Sequence, residues 1–354
     1  MRIVIIVSQV TPGGGLSKYI CTLADILTKN TNNQIYVITT HTSEDNLQLK
    51  QLMAERAIEY KSLGGLSTIK KYFSLVTLIR KISPDIIINN YNAPTQYILP
   101  FLPRRIKVVH ILHNNTDDFY RVAAINAKFV HKWVAPTPAL QKYFDAYTRY
   151  KYSNKISTIP HAVDEALNIS PALSDTAQLT YVGVLYEHKG VLVLPDIIKR
   201  IVDKGYKFHL TFIGDGILRS ALEESLSEEI DKGIVDFAGR IPGEEVYTKL
   251  QQTDIFVYPT HIDAFGLVIA EAMMNGAVPV VTCLKGITDT IVDDGVNGFL
   301  VSQDDVSCFV ERISYLLEDK EQRMNMSHAA RDKARTNFSK DVMRKNYLEM
   351  IYSL

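Results

Sequence analysis

The chain has 354 residues, with 39 basic and 39 acidic side chains and therefore no net charge. Its hydrophobic content of 46% and charged content of 22% are typical of a soluble globular protein. The length predicts two domains of roughly 100–200 residues each. The widely spaced cysteines, without a C-x-x-C pair, indicate neither a disulfide framework nor a zinc site and fit a reducing cytoplasm. The first apolar run is too short for a signal sequence, and none reaches the roughly 20 residues of a membrane span.

The charges are unevenly distributed along the chain. Residues 1–166 hold 20 Lys and Arg against 11 Asp and Glu, a net charge of +9, so residues 167–354 hold 19 against 28, a net charge of −9. A basic half joined to an acidic half suggests that the basic half meets an anionic surface. An uneven but merely solvated distribution explains the same count, so both interpretations stay open.

The N-terminal segment reads as strand, glycine-rich loop and helix. Ile3–Val7 is apolar and β-branched, a run that includes Gly14 and Gly15 follows, and helical periodicity begins at Leu16. Successive glycines let backbone amides or a substrate come close, as in phosphate-binding loops. A nicotinamide-binding Rossmann fold is disfavoured, because the spacing is not G-x-G-x-x-G and the second strand, Gln34–Thr39, ends without the acidic residue that binds the ribose.

A basic amphipathic helix is predicted over Leu66–Ser83. Its apolar positions form one face, on which most such helices pack against a core, and basic side chains surround it. Basic amphipathic helices also lie on anionic membranes. The predicted apolar face consists of Leu66, Ile69, Phe73, Val76, Ile79 and Ile82.

Further strands follow, and a histidine ends one of them. Val108 begins a strand that runs into a polar loop at His113, whereas His110 is predicted to lie in the core. Residues Glu165–Ala177 have the composition of a linker. Beyond it, strands and helices alternate, which predicts a parallel, doubly wound sheet with helices on both faces. We therefore place domains at 1–166 and 167–338, with a last helical segment at 339–354.

The stretch Thr253–Thr282 is the most informative part of the sequence. A buried strand, Ile255–Tyr258, is followed by a polar loop, by a helix that opens at Gly266, and by another strand. Such loops lie at the carboxyl ends of parallel strands, where ligands bind in open α/β sheets. We expect the N–H groups of Gly266, Leu267 and Val268 to point at an anion such as phosphate.

Two carboxylates frame this predicted phosphate site. Asp263 precedes the helix and Glu271 lies on it, with seven residues between them. Carboxylates beside a bound phosphate suit the hydroxyls of a nucleotide-sugar. Alternatively, Asp263 only caps the turn and Glu271 is a solvated helix residue, and for either residue alone that interpretation is favoured.

With Phe265-Gly266 between the two acids, the segment resembles the donor-site signature of the retaining glycosyltransferases of family 4. Their pattern is Glu, seven residues, Glu, and Asp263 replaces the first Glu here. The resemblance is strong over Thr180–Val301 and weaker in the N-terminal half. It implies the α/β GT-B fold, in which two Rossmann-like doubly wound domains face each other across a cleft and the last helix crosses back to the N-terminal domain.

The resemblance also implies roles for individual residues. Lys189 and the helix amides would stabilise the departing diphosphate, Glu271 would bind the ribose, and Asp263 would bind the sugar hydroxyls. His113 matches the position of a cleft histidine near the donor sugar, and a purely structural histidine is an equal alternative. The full set of expected donor-binding residues is Gly14, Gly15, Gly183, Lys189, Gly214, Arg240, Ile241, Asp263, Phe265, Gly266, Leu267, Val268 and Glu271.

The sequence departs from the family pattern at one position of the phosphate site. Family members have Gly-Arg after the first strand of the second domain, but here Val184 follows Gly183. A missing charge-assisted contact costs roughly 1.5–3 kcal/mol unless another group replaces it. His188 or Arg240 could supply the cation, or the protein could use another donor.

The implied function is transfer of a sugar from a UDP- or GDP-sugar to a hydroxyl of a glycan or lipid-linked acceptor in polysaccharide or lipopolysaccharide assembly. We expect no cofactor, no required metal and no nucleic-acid partner, in a cytoplasmic protein that can attach to the anionic inner membrane face. A nucleotide-sugar 2-epimerase of the same fold and a non-catalytic sugar-nucleotide-binding subunit remain as alternatives.

Overall fold

The structure, a computed structural model, describes residues 1–10, 15–29, 31–41, 51, 53–56, 58–165 and 176–354. The chain divides into two compact units. Unit 1 comprises Met1–Ala162 and Lys340–Leu354, and unit 2 comprises Val163–Ser339. The predicted boundary after residue 166 stands close to this division, and the predicted linker lies largely outside the described residues.

Unit 1 is built on a parallel sheet whose strands run in the order β3-β2-β1-β4-β5-β6-β7. Its central strands are apolar on both faces because helices cover both sides, as is usual for parallel sheets. The strands are β1 (Arg2–Val7), β2 (Gln34–Thr39), β3 (Glu59–Ser62), β4 (Ile86–Asn90), β5 (Lys107–Ile111), β6 (Lys132–Ala135) and β7 (Ile156–Thr158).

The last helix of the chain belongs to unit 1. It packs on the first helix, where the hydroxyls of Tyr19 and Tyr347 lie 2.5 Å apart in a buried contact. The described helices of this unit are α1 (Gly15–Thr28), α2 (Thr68–Ile82), α3 (Ala93–Ile98), α4 (Asp117–Ala124), α5 (Pro138–Tyr147) and, after unit 2, α13 (Lys340–Tyr352).

Unit 2 repeats this plan, with parallel strands in the order β10-β9-β8-β11-β12-β13. Its strands are β8 (Ala177–Val182), β9 (Phe208–Ile213), β10 (Val235–Gly239), β11 (Ile255–Tyr258), β12 (Val278–Thr282) and β13 (Phe299–Val301). Its helices are α6 (Leu194–Asp203), α7 (Arg219–Ser225), α8 (Ser227–Asp231), α9 (Gly243–Gln251), α10 (Leu267–Met274), α11 (Val306–Glu318) and α12 (Lys320–Phe338).

Each sheet has a point at which the strand order reverses direction. In unit 1 it lies between β1 and β4, and in unit 2 between β8 and β11. The connections on either side of such a point leave in opposite directions and open a crevice at the carboxyl ends of the strands, where ligands bind. The loop after β11, singled out from the sequence, therefore starts at the crevice of unit 2.

Two features of unit 1 differ from the sequence-based expectation. Strand β3 was not predicted, because Glu59–Ser62 is a polar edge strand without the apolar run that marks buried strands. The predicted apolar face of α2 was wrong in its first half. The structure buries Lys71 and Leu75 there, whereas Ile69 and Phe73 are 70% and 72% exposed.

Candidate active site

An ion pair joins the two loops that leave the switch point of unit 2. Lys189 follows β8 and Asp263 follows β11, and Lys189 Nζ lies 3.0 Å from Asp263 Oδ2. Gly190 permits this approach: its φ is +65°, and an added Cβ would lie 1.8 Å from the carbonyl oxygen of Pro259. The sequence-predicted cation and carboxylate are thus brought together at the carboxyl ends of adjacent strands.

Both carboxylate oxygens of Asp263 are fully engaged within the chain. Oδ1 accepts from the backbone N–H groups of Ala264, Phe265 and Gly266, and Oδ2 accepts from the hydroxyl of Tyr258 as well as from Lys189. Burial raises the pKa of Asp263, but the charge of Lys189 and these hydrogen bonds outweigh it and hold that pKa below its usual value. The geometry matches the alternative in which Asp263 organises the turn, rather than a carboxylate open to sugar hydroxyls.

The N-terminus of α10 offers two backbone donors. Gly266 was expected to be a third, which is wrong, because its N–H donates to Asp263 Oδ1 at 2.9 Å. The N–H groups of Leu267 and Val268 have no hydrogen-bond partner among the described residues. Unpaired N–H groups at a helix N-terminus, together with the helix dipole, favour an anion there.

Glu271 is the ionisable side chain of an otherwise apolar helix. It is only 8% exposed, and Ile269, Ala270 and Ala272 beside it are fully buried. The interpretation as a solvated helix residue is therefore excluded. Its Oε1 accepts from the hydroxyl of Tyr247 at 3.4 Å, and the same hydroxyl lies 3.3 Å from Asp164 Oδ2. Because burial of a carboxylate is costly, its presence here points to a ligand-binding role.

Glycines shape the neighbouring strand ends. Gly183 and Gly214 end β8 and β9, and an added Cβ on Gly214, whose φ is +133°, would lie 1.9 Å from the Gly183 carbonyl oxygen. The N–H of Gly214 donates to the carbonyl of Gly239, at the end of β10. Arg240 follows, exposed and without an ion pair in the described part of the chain, and Ile241 is half-buried. The backbone thus leaves an open polar edge beside the ion pair.

Phe265 does not line this edge. Its side chain is buried and packs edge-to-face on Phe338, with ring centroids 5.7 Å apart. The side chain thus anchors the loop in the core of unit 2, and donor binding by this residue stays a prediction.

A second cation at the edge was not predicted. Arg219, the first residue of α7, places its Nη1 within 3.1 Å of where a Cβ on Gly239 would lie, and its Nη2 donates to the carbonyl of Phe237. Its Nε is already bonded to Glu223, at 2.7 Å. An arginine three residues after the Gly214-Asp215-Gly216 turn was the available sequence signal. Val184, at the expected arginine position, is exposed.

The two histidines of β5 and its following loop lie in unit 1. His113 Nε2 is 3.0 Å from Asn90 Oδ1, and its ring meets the edge of Tyr19 at a centroid distance of 5.0 Å. Burial first, and then the nearby His161 and His110, lower the pKa of His113 well below its usual value. His113 is therefore neutral at pH 7. The prediction that His110 belongs to the core is confirmed, since it is buried and burial lowers its pKa to about 3.

Two predictions concern glycines near the start of the chain. Gly14 lies outside the described residues, and Gly15 is the first residue of α1.

Among the described residues, no three His, Cys, Asp or Glu side chains come together as a metal site. No described helix is long and apolar enough to cross a membrane.

Two family models match the chain. The model described as "Glycosyl transferases group 1" matches residues 163–333, and "Glycosyltransferase Family 4" matches residues 13–167. Together the two models cover residues 13–333, and the chain belongs to the glycosyltransferases that they describe. The first match covers nearly all of unit 2 and thus the Lys189–Asp263 pair and Glu271.

Curated group 1 relatives include enzymes of surface polysaccharides. CapM of Staphylococcus aureus, a capsular polysaccharide biosynthesis glycosyltransferase, is 28% identical over 51% of this chain and 47% of its own length. The uncharacterized glycosyltransferase MJ1178 of Methanocaldococcus jannaschii is 22% identical over 95% of both chains. The chain spans less than half of CapM's length. It also matches 26% of the length of SQD2, the sulfoquinovosyl transferase of Arabidopsis thaliana.

Solved structures show that the fold is GT-B. HepE of Anabaena, crystallised with UDP, matches 100% of both chains with a TM-score of 0.81 and 20% identity. A glycosyltransferase of Rickettsia africae matches 99% of this chain and 98% of its own, with a TM-score of 0.82 and 16% identity. At these identities the likeness concerns the fold alone.

Proposed function

We propose that this group 1 glycosyltransferase moves a sugar from a nucleotide diphosphate to a hydroxyl with retention of anomeric configuration. One observation carries the proposal. Glu271 is buried in an apolar helix at the switch point of unit 2, and the first N–H groups of that helix, at Leu267 and Val268, have no partner among the residues that the structure describes. A diphosphate with an attached ribose fits this combination, because the amides bind anions and the carboxylate accepts from hydroxyls.

In this proposal the protein supplies orientation and electrostatic stabilisation. The Leu267 and Val268 amides, Lys189 and Arg240 stabilise the departing diphosphate, and Glu271 holds the ribose. Asp263 acts through Lys189: it fixes the ammonium group at the edge of the sheet before the donor arrives. Ile241 and the adjacent backbone border the nucleobase. The leaving phosphate accepts the proton of the acceptor hydroxyl, which attacks from the same face of the sugar.

The donor we propose is a UDP-hexose, and the charges of the site make a metal unnecessary. HepE was crystallised with UDP-glucose, which supports a uridine donor for a chain of the same fold. Lys189 and Arg240, with the N-terminus of α10, supply positive charge where a metal ion would otherwise act.

The acceptor we propose is a glycan or lipid-linked glycan in surface polysaccharide or lipopolysaccharide assembly, at the cytoplasmic membrane face. CapM and the colanic acid enzyme WcaL of Escherichia coli, 23% identical over 50% of this chain, are named for such polymers. The net charge of +9 in residues 1–166 suits an anionic surface. A role for His113 beside the transferred sugar stays a prediction.

The deciding experiment combines a donor screen with product analysis. Purified protein is tested for thermal stabilisation by UDP-, GDP- and other nucleotide-sugars, and a stabilising donor is then incubated with lipid-linked and soluble glycan acceptors. We expect one uridine donor to be consumed only with acceptor, and NMR of the product to show the donor's anomeric configuration. An inverted product would refute retention. Formation of an epimer without acceptor would indicate the epimerase, and binding without turnover a non-catalytic subunit.

A further inference from the structure

Helix α2 presents apolar side chains to solvent on one side of unit 1. Ile69 and Phe73, one turn apart, are 70% and 72% exposed, whereas Leu75 and Ile79 on the opposite side are buried in the core. Isolated exposed apolar side chains are common, but neighbouring ones mark interaction sites. The orientation of α2 thus leaves an apolar stripe that the described part of the chain does not cover.

Two further exposed aromatic residues continue this stripe. Tyr97, at 49% exposure, lies on α3 with its ring centroid 6.1 Å from that of Tyr72 on α2. Phe101, at 65% exposure, follows α3, and its carbonyl accepts from Arg80 Nη2 at 3.1 Å. Contacts between α2 and the segment after it thus hold the apolar side chains in one region of the surface.

The segment that carries these side chains is strongly basic, with Glu59 adjoining it on one side and Asp117 and Asp118 on the other. Residues 60–116 contain eight Lys and Arg and one acidic residue, Asp85, a net charge of 8 − 1 = +7. Asp85 accepts from the backbone N–H of Arg2. Five exposed cations from this segment form no ion pair with a carboxylate within the described ranges, and they are Lys70, Arg80, Lys81, Arg104 and Arg105.

We propose that this region is a membrane-docking face: Ile69, Phe73, Tyr97 and Phe101 insert into an anionic bilayer, and the five cations contact lipid phosphates. Exposed apolar and aromatic side chains in a segment rich in exposed Lys and Arg are the composition of interfacial membrane binding. A second copy of the chain is disfavoured as the occupant, because a symmetric interface would bring like-charged cations together.

Docking on the membrane would bring the protein to the proposed lipid-linked acceptor, and this part of the inference rests on the proposed function. The binding itself is a separate property. Cations alone predict attachment that salt releases completely, whereas inserted side chains predict a fraction that persists at about 0.5 M salt, where charges are screened beyond a few Å.

The first test removes the apolar side chains. The triple variant Ile69→Ser/Phe73→Ser/Phe101→Ser should sediment roughly tenfold less with vesicles that contain anionic phosphatidylglycerol, and its salt-resistant fraction should disappear. The control Leu192→Ser/Val296→Ser/Met324→Ser changes three apolar residues of unit 2 that are 48–60% exposed and should bind vesicles like the unmodified protein. Equal losses in both triple variants, or in neither, would overturn the proposal.

The second test reverses the charges. Lys70→Glu/Arg80→Glu/Lys81→Glu/Arg104→Glu should abolish binding to anionic vesicles at low salt. Lys71 stays unchanged because it is only 9% exposed and its replacement would place a carboxylate in the core. Donor binding, followed in parallel by calorimetry, should be the same in all variants. If the unmodified protein bound no donor, the proposed function would be refuted, but the proposed membrane-docking face would not be affected.

A fluorescent reporter distinguishes insertion from surface contact. The native tryptophan, Trp133, is fully buried, so Phe73→Trp adds an exposed one. Brominated phosphatidylglycerol vesicles should quench the added fluorescence, and brominated neutral phosphatidylcholine vesicles should quench it far less. Absence of quenching would contradict insertion. A concentration-dependent dimer that the serine variant loses, without vesicle binding, would assign the face to a second copy instead.

Discussion

The two units share one arrangement of strands but carry opposite chemistry at their carboxyl edges. In unit 2 the edge at the switch point holds ionisable groups, Lys189 and Asp263 at 3.0 Å and the buried Glu271. In unit 1 the corresponding edge is a neutral network, in which Asn92 Nδ2 donates to Thr40 Oγ1 at 2.7 Å and Asn90 contacts His113. The fold supplies the edge, and the side chains decide what binds there.

The difference suggests a division of labour. A diphosphate is recognised by fixed charges and helix amides, whereas neutral amides, hydroxyls and imidazole suit the hydroxyls of a glycan. Changes to the charged edge should therefore damage donor use more than changes to the neutral edge do.

The largest effect is expected at Glu271. Glu271→Ala removes the buried carboxylate that is proposed to accept from the ribose hydroxyls. It should lower kcat/KM several hundredfold, which corresponds to a loss of about 3–4 kcal/mol of transition-state stabilisation. Steady-state kinetics with the donor found in the screen would measure it. Glu245→Ala, an exposed glutamate on α9, is the matched control and should have normal kinetics. Near-normal turnover of Glu271→Ala would exclude the proposed donor site.

The Lys189–Asp263 pair should matter for both stability and donor binding. Asp263→Asn leaves a largely buried ammonium group without its counter-charge and should lower the free energy of unfolding of unit 2 by about 3 kcal/mol. Lys189→Ala should weaken donor binding and slow turnover, because charge grows on the phosphate as the sugar leaves. Urea titrations of both single variants and the double variant give the coupling energy. Additive effects would show that the pair does not act as a unit.

Acid should destabilise unit 1 at a higher pH than unit 2. The folded pKa values of His110 and His113 lie below the unfolded value of about 6.5, so their stabilisation is complete above that pH and is lost as pH falls. Between pH of about 6.5 and 4.5, His110 alone should cost unit 1 about 2–3 kcal/mol. Asp263 acts in the same direction, but only below its usual pKa, so its contribution persists in this range.

Hydrogen exchange as a function of pH, resolved by peptide, would measure this difference. We expect β4 and β5 to lose protection before β8 and β11. Replacement of His110 by Asn should flatten the pH dependence of unit 1. If both units lost protection together, the buried histidines would not be its cause.

The smallest effect is expected at Val184. Because Val184 is exposed at the strand end, Val184→Arg should be accommodated without loss of stability. A new cation beside the diphosphate should lower the donor KM by up to about tenfold, near 1.4 kcal/mol. A large fall in kcat with the same donor would instead show that the valine belongs to a pocket shaped for the sugar.

Much of the fold could be predicted from periodicity. The buried strands β1, β9 and β11 stand out as short β-branched runs between turns, and alternation with helices predicts parallel sheets. Edge strand β3 could not be found because it carries no apolar run. The orientation of α2 could not be found either, since a helix with apolar residues on several sides can turn more than one of them toward the core.

The sequence by itself determined the α/β plan, the glycosyltransferase family and the two acids with their spacing of seven residues, because these are local patterns. The tertiary structure decided what each acid does. Asp263 turns inward because Lys189, Tyr258 and three amides converge on it, and Glu271 is buried because it lies in the part of its helix, residues 269–274, that packs into the core. Contacts between residues far apart in the chain depend on how strands are ordered in the sheet, which no local pattern encodes.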